Sequence, residues 1–240
     1  MNLLHPGEFY KLSEDDCIEI QHMLSSQVIE HNLVEIEELK TVAGVDIAYW
    51  KEGMTERAVC CIVVIDAKTK QILEKQHTTG VVNFPYIPGC LAFRELPLVT
   101  ETAAKLQRTP DLYLFDGNGL LHPRRMGLAT HASFYLEAAT LGIAKKYFCV
   151  EGAQFVMPED QAGSYSDIKK DGRILGRAIR THSHVKPVFA SVGNYVDLDT
   201  VTKLALMFTT RESHIPIPTR YADLETHIER ERERNQYVKI

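Results

Sequence analysis

Apolar residues recur along this chain at two spacings, and each switch between them marks a change of element. Residues 14–30 carry acidic side chains first and apolar ones at helical intervals after, the pattern of a capped amphipathic helix. The runs TVAGVDIAYW, AVCCIVVIDA and QILEKQHTTG are short and rich in β-branched residues, with the loop KEGMTER and the turn AKTK between them. Three consecutive antiparallel strands are predicted. Beyond the Pro- and Gly-rich loop NFPYIPG the pattern alternates, with a helix over 91–108, a buried strand at DLYLFD, a helix at RRMGLATHASFYLEAA and a short strand at LGIA. A glycine-containing connection over 151–172 leads to strands at RILGRAIRTH and PVFASVG, then a helix at DLDTVTKLALMFTT and a charged helix from about Arg220. Its tail from about residue 225, with alternating charges from Glu229 to Arg234, reads as a solvated helix that frays.

The order of three antiparallel strands and then alternating helix and strand resembles the ribonuclease H-like architecture. That is an α/β fold whose mixed sheet has three antiparallel strands, then parallel strands, flanked by helices. With 45% hydrophobic and 25% charged residues over 240 positions, one domain spanning 1–240 is expected. The net charge of −5 argues against nonspecific coating of nucleic acid, because Lys and Arg supply most of that binding. Any such contact must be local. Basic residues cluster at His122-Pro123-Arg124-Arg125, Lys145-Lys146 and Lys169-Lys170, and at Arg173, Arg177, Arg180 and Lys186. Clusters of this kind are more often solvated faces than binding tracks. The five cysteines show no CxxC spacing, and Cys60-Cys61 sits in an apolar run, so neither a disulfide framework nor a zinc finger is expected. No signal-peptide pattern opens the chain and no run approaches the ~20 apolar residues of a membrane helix, which predicts a soluble cytoplasmic protein.

Two carboxylates stand out against this background. Asp46 lies within VAGVDIA, and Asp116 ends LYLF ahead of Gly117-Asn118-Gly119. An ionised carboxylate buried without a partner costs several kcal/mol, so each needs one. Asp46 can be half of a structural ion pair, and Asp116 can start a turn. With Glu95 after a loop and Asp223 ahead of the last helix, they also form a set of oxygen ligands suited to Mg2+ or Mn2+ and not zinc. Taken alone, Glu95 and Asp223 read as charges favouring a helix N-terminus. A carboxylate set holding one or two cations supports phosphodiester hydrolysis with no covalent nucleophile. Neither GxSxG, a Walker loop nor HExxH occurs.

The segments VAGVDIAY, FPYIPGCLAFRELP, DLYLFDGNGLLHPRRMGLATH, LGIAKK, KPVFASVGNYVDLDT and PTRYADLE, in this order, resemble the endonuclease V family over most of the chain. The resemblance implies a ribonuclease H-like fold, dependence on Mg2+ or Mn2+, and hydrolysis of the second phosphodiester 3′ to a deaminated purine in DNA. Carried over residue by residue, it implies metal binding by Asp46, Asp116, Glu95 and Asp223, with catalytic roles for Asp46, Glu95, Asp116, Lys145 and His122. It also implies a wedge at Tyr86 within Pro85-Tyr86-Ile87-Pro88, and a pocket for the extruded base at Gly89, Leu91 and Gly117. Without the resemblance, His122 reads as a helix N-terminal residue before Pro123 and Lys145 as a surface lysine.

The chain departs from the family at Asn118, where many members carry histidine in a DGHG tetrad; this bears on base preference and not on metal chemistry. His182 and His184 are expected on one face of a strand and are assigned a structural role. Two other activities remain open here, an inosine-specific endoribonuclease and a noncatalytic binder of flipped bases. Asp46, Glu95 and Asp116 together count against the second. A small-molecule phosphatase would have little use for a PYIP wedge.

Overall fold

The computed structural model describes residues 3–33 and 35–237. In chain order the elements are α1 (Glu14–Ser25), β1 (Thr41–Glu52), β2 (Thr55–Asp66), β3 (Ile72–Val81), α2 (Leu91–Ala103), β4 (Leu112–Phe115), α3 (Leu128–Leu136), β5 (Ala139–Ala144), β6 (Tyr165–Lys170), β7 (Arg173–Ile179), β8 (Val188–Asn194), α4 (Leu198–Met207) and α5 (Ile217–Tyr237). One eight-stranded sheet runs β3-β2-β1-β4-β5-β8-β7-β6. β1 pairs antiparallel with β2, and β2 with β3, while β1–β4 and β4–β5 are parallel. This is the expected ribonuclease H-like order, extended by an antiparallel meander of β8, β7 and β6.

Alternate side chains of a strand point to opposite faces, and both faces of the central strands are buried. Val42 of β1 and Leu112 and Leu114 of β4 pack with Leu204 of α4 and Ile217 and Ala222 of α5. Ala43, Val45, Tyr113 and Phe115 pack on the other face with Phe93, Leu96 and Ala129 from α2 and α3. The near-continuous apolar runs follow from this two-sided burial, and Cys60 and Cys61 fill small buried positions within them.

Several boundaries differ from the sequence expectation. α1 starts as expected on a capping box, with Ser13 Oγ accepting from Asp16 N at 3.2 Å and Asp16 Oδ2 accepting from Ser13 N at 2.8 Å, but it ends at Ser25. α3 begins at Leu128 and not Arg124, because the backbone turns left-handed at Arg125 (φ 54°), which no helix allows. The connection 151–172 contains a strand, β6, in which Ile168 alone is buried. The tail is also less solvated than expected. Glu229 is 7% exposed, with its Oε2 3.7 Å from His77 Nε2 on β3 and a close ion pair to Arg232. Residues 238–240 of that expected helix lie outside the described residues.

His182 and His184 sit in the turn after β7 and not on the strand. His182 Nε2 lies 2.9 Å from Thr210 O and His184 Nδ1 2.7 Å from Asp160 Oδ2, consistent with structural roles. All five cysteines are free, and no helix among the described residues is long and apolar enough to cross a membrane.

His131 on α3 is fully buried among Phe9, Phe93 and Tyr135, and neither ring nitrogen has a hydrogen-bond partner. Burial depresses its pKa to about 3. The unfolded chain therefore takes up a proton below about pH 6.5 that the folded chain refuses, and stability is lost as pH falls through that range. His131→Phe should shrink the fall in urea midpoint between about pH 7 and about pH 5. Equal acid sensitivity of variant and wild type would refute this.

Candidate active site

The pairing of β1 with β4 sets the site. Val45 is level with Phe115, so the next residue on each strand is an aspartate, and Asp116 N donates to Val45 O at 3.1 Å. Asp46 and Asp116 share the parity of Val42, Leu112 and Leu114 and so face the α4 and α5 side. β4 ends at Phe115 while β1 runs on, leaving this point open at the carboxyl end of a parallel pair. α5 lies directly on β1 here. A Cβ on Gly44 would sit 1.9 Å from Pro218 O, so only glycine permits the approach. That contact brings Asp223, which lies inside α5 and not ahead of it, to Asp46.

Oxygens of Asp46, Asp116 and Asp223 all lie within 4.8 Å of one another. Thr226 Oγ1 is 2.7 Å from Asp46 Oδ2 and 2.8 Å from Asp223 O, and its one proton serves either. Lys145, just past β5, holds Nζ 2.7 Å from Asp116 Oδ2 and 3.3 Å from Asp223 Oδ1. Arg220 Nη1 is 2.8 Å from Asp223 Oδ2. Burial raises the pKa of Asp46, and the neighbouring carboxylates add to this, while Thr226 opposes it. Burial also raises Asp116, opposed by Lys145. Burial alone would lower Lys145, but Asp116 and Asp223 hold its ammonium above its ordinary pKa. Three crowded carboxylates, two of them with proton affinity raised by burial and all of them hard oxygen donors, fit a divalent cation.

Glu95 approaches from α2 on the opposite face and lies outside this trio. It is 7% exposed, its Oε1 accepts from Tyr49 Oη at 2.7 Å, and burial pushes its pKa up to about 7, reinforced by Asp46 and Asp116.

Directly after Asp116, Gly117 and Asn118 line a cleft of about 220 Å³ with Tyr86, Ile87, Gly89, Leu91, His122 and Phe148. This is below the ~300–1,000 Å³ usual for drug-sized ligands and suits a single heterocycle. Tyr86 is 72% exposed at the rim, with Pro85 and Pro88 exposed beside it. Gly89 takes φ 78°, and a Cβ there would meet Arg124 Nη2 at 2.7 Å. Its carbonyl is gripped by Arg124 Nη2 (2.9 Å), His122 Nε2 (3.0 Å) and Gln21 Nε2 (2.8 Å). His122 is neither helical nor exposed. Its Nδ1 accepts from the backbone N–H groups of Arg124 and Met126 at 3.2 and 3.3 Å, and its ring stacks on Phe148. Burial lowers its pKa to about 4, so the ring is neutral and Nε2 donates to Gly89 O. Asn118 Oδ1 is buried without a hydrogen-bond partner.

Sequence reasoning missed Thr226, Tyr49, Arg220 and Phe148. Thr226 and Arg220 flank Asp223 at helical i+3 and i−3 spacing, a signal that the helix expected from about Arg220 already offered. Tyr49 and Phe148 carried no comparable signal.

An acidic trio where a parallel pair opens, on a ribonuclease H-like sheet, defines a metal-dependent nuclease. Comparison with known proteins narrows the class. The family model for endonuclease V matches residues 22–224. Endonuclease V of Bacillus thuringiensis is 50% identical over 208 residues, covering 87% of this chain and 88% of that protein. The Bacillus subtilis protein is 46% identical over 228 residues, covering 95% and 96%. A crystal structure of Bacillus subtilis endonuclease V superposes with a TM-score of 0.93 at 45% identity, covering 98% of this chain and 100% of that one. The chain belongs to the endonuclease V family.

Proposed function

We propose that the protein is a DNA-repair endonuclease that hydrolyses the second phosphodiester 3′ to deoxyinosine, using Mg2+, with Mn2+ able to substitute. One observation carries the reading. The acidic trio and the heterocycle-sized cleft are joined through consecutive residues, Asp116 and Gly117, so a base held in the cleft keeps its own strand at the carboxylates. Asp46, Asp116 and Asp223 would hold the cation. Bound there, it supplies a Lewis acid and lowers the pKa of water.

The chain's own groups do the rest. Glu95, with a pKa of about 7, is suited to take a proton near neutral pH. Lys145 presents an ammonium where charge develops on the phosphate. The water oxygen bonds to phosphorus as the bond to the 3′ oxygen breaks, leaving a 3′-hydroxyl and a 5′-phosphate. His122, with both nitrogens engaged by backbone groups, keeps Gly89 in place at the cleft and exchanges no proton. Residues 1–240 act as one catalytic domain working in the cytoplasm.

Tyr86 is the wedge that stacks where the extruded base had been. Its exposure on a stiff Pro-flanked loop supports this over a core anchor. Cleavage of end-labelled, matched DNA and RNA strands, each with one inosine, tests the reading through product length and preferred sugar. Tyr86→Ala should lower cleavage of inosine-containing duplex by ~5- to 100-fold, the worth of one stacked base, and by less on single strands, with melting temperature unchanged. A melting-temperature drop with equal loss on every substrate would remove the wedge.

A further inference from the structure

The β6–β7 hairpin turns through Asp171 (φ 49°) and Gly172 (φ 77°), the two left-handed residues of a type I′ turn. So tight a turn makes Lys170 and Arg173 direct cross-strand partners. Like charges directly opposite destabilise a strand pair. Other cations of the hairpin are matched: Lys169 Nζ lies 3.4 Å from Asp167 Oδ2, and Arg177 reaches Asp167 and Asp199 at 3.0 and 2.7 Å. Among the described residues Lys170 and Arg173 form no ion pair, although Asp171 stands exposed in the turn between them. Both line a second cleft, of about 390 Å³, together with Arg125, whose guanidinium also pairs with Glu30.

His122 forms a wall of this basic cleft and of the base cleft as well. The acidic trio and the basic cleft share no residue, and the base cleft touches both, at Gly117 and at His122. A strand with one nucleotide in the base cleft leaves it in two directions. We propose that the basic cleft binds the backbone phosphates on the 5′ side of the extruded nucleotide, with Lys170 and Arg173 as the principal cations. This rests on the functional reading above, which assigns the 3′ side to the carboxylates. In a chain of net charge −5, phosphate binding has to be concentrated in such a patch.

The test compares the full-length wild type with the double variant Lys170→Gln/Arg173→Gln. kcat/KM is measured on a single strand with an internal deoxyinosine, from about 50 to about 200 mM KCl. The variant should lose about tenfold at the lower salt and show a salt slope shallower by about 1.4. On a strand whose 5′-terminal nucleotide is the deoxyinosine, variant and wild type should coincide. Lys186→Gln, in the connection between β7 and β8, should match the wild type on both strands. The double variant should melt no lower than the wild type, since a like-charge pair is relieved. Equal kcat/KM on the internal substrate, or a deficit persisting on the 5′-terminal one, overturns the proposal. If the wild type cuts neither strand, the functional reading fails instead, and fluorescence anisotropy of the same strands decides the cleft. Equal affinities of variant and wild type would then overturn it.

Discussion

Asp46→Asn and Asp116→Asn should each lower cleavage by ~10³-fold or more at saturating Mg2+ while leaving the fold intact. Both carboxylates are crowded by burial and by one another, and a cation is what relieves them. The amides keep the shape. In Asp46→Asn the hydroxyl of Thr226 can still donate to the side-chain oxygen, and in Asp116→Asn the ammonium of Lys145 keeps Asp223 at 3.3 Å. Melting temperature without metal should therefore hold or rise, because a repelling charge is gone, and strand binding without metal should hold as well. Calorimetric Mg2+ titration alongside the cleavage assay separates loss of the metal from loss of the fold. Near wild-type turnover by either variant would remove the carboxylate from the site.

Gly44→Ala should be among the most damaging changes of a single methyl group. The added carbon would lie 1.9 Å from Pro218 O and 2.0 Å from Pro218 C, both backbone atoms, so no side chain can move to make room. Relief requires β1 or the whole first turn of α5 to shift, and that turn is packed through Ile217 into the core. A cost of about 3 kcal/mol or more is expected, a fall of roughly 6–12 °C in melting temperature for a domain of this size. Cleavage at temperatures where the variant stays folded should also drop, since Asp223 moves away from Asp46 with the helix. A variant melting within about 1 °C of the wild type would mean that the helix shifts without cost.

What the sequence revealed, and what it hid, follows burial. The central strands were legible because their buried runs are long and β-branched, and Asp46 and Asp116 were visible as charges interrupting them. The need for a partner at each was legible too, but not its identity. Thr226 and Lys145 reach them from distant parts of the chain, and that proximity belongs to the fold. β6 escaped notice because an edge strand that buries only Ile168 leaves almost no periodic trace. Glu229 looked solvated because its neighbours in sequence are charged, whereas α5 packs against β1 and β2 there and its carboxylate lies 3.7 Å from His77 on β3. The base cleft was half legible. Gly89, Leu91 and Gly117 line it, but Phe148 came from a loop with no motif, and His122 was expected at a helix start and is instead buried as a neutral ring.

Thr226 meets Asp46 across 180 positions of sequence. The third carboxylate comes from α5, which is synthesised well after β1 and β4, so a nascent chain that has not yet reached α5 carries Asp46 and Asp116 without Asp223. On the reading proposed above, such a chain lacks the full carboxylate set, which is assembled only once α5 docks against Gly44.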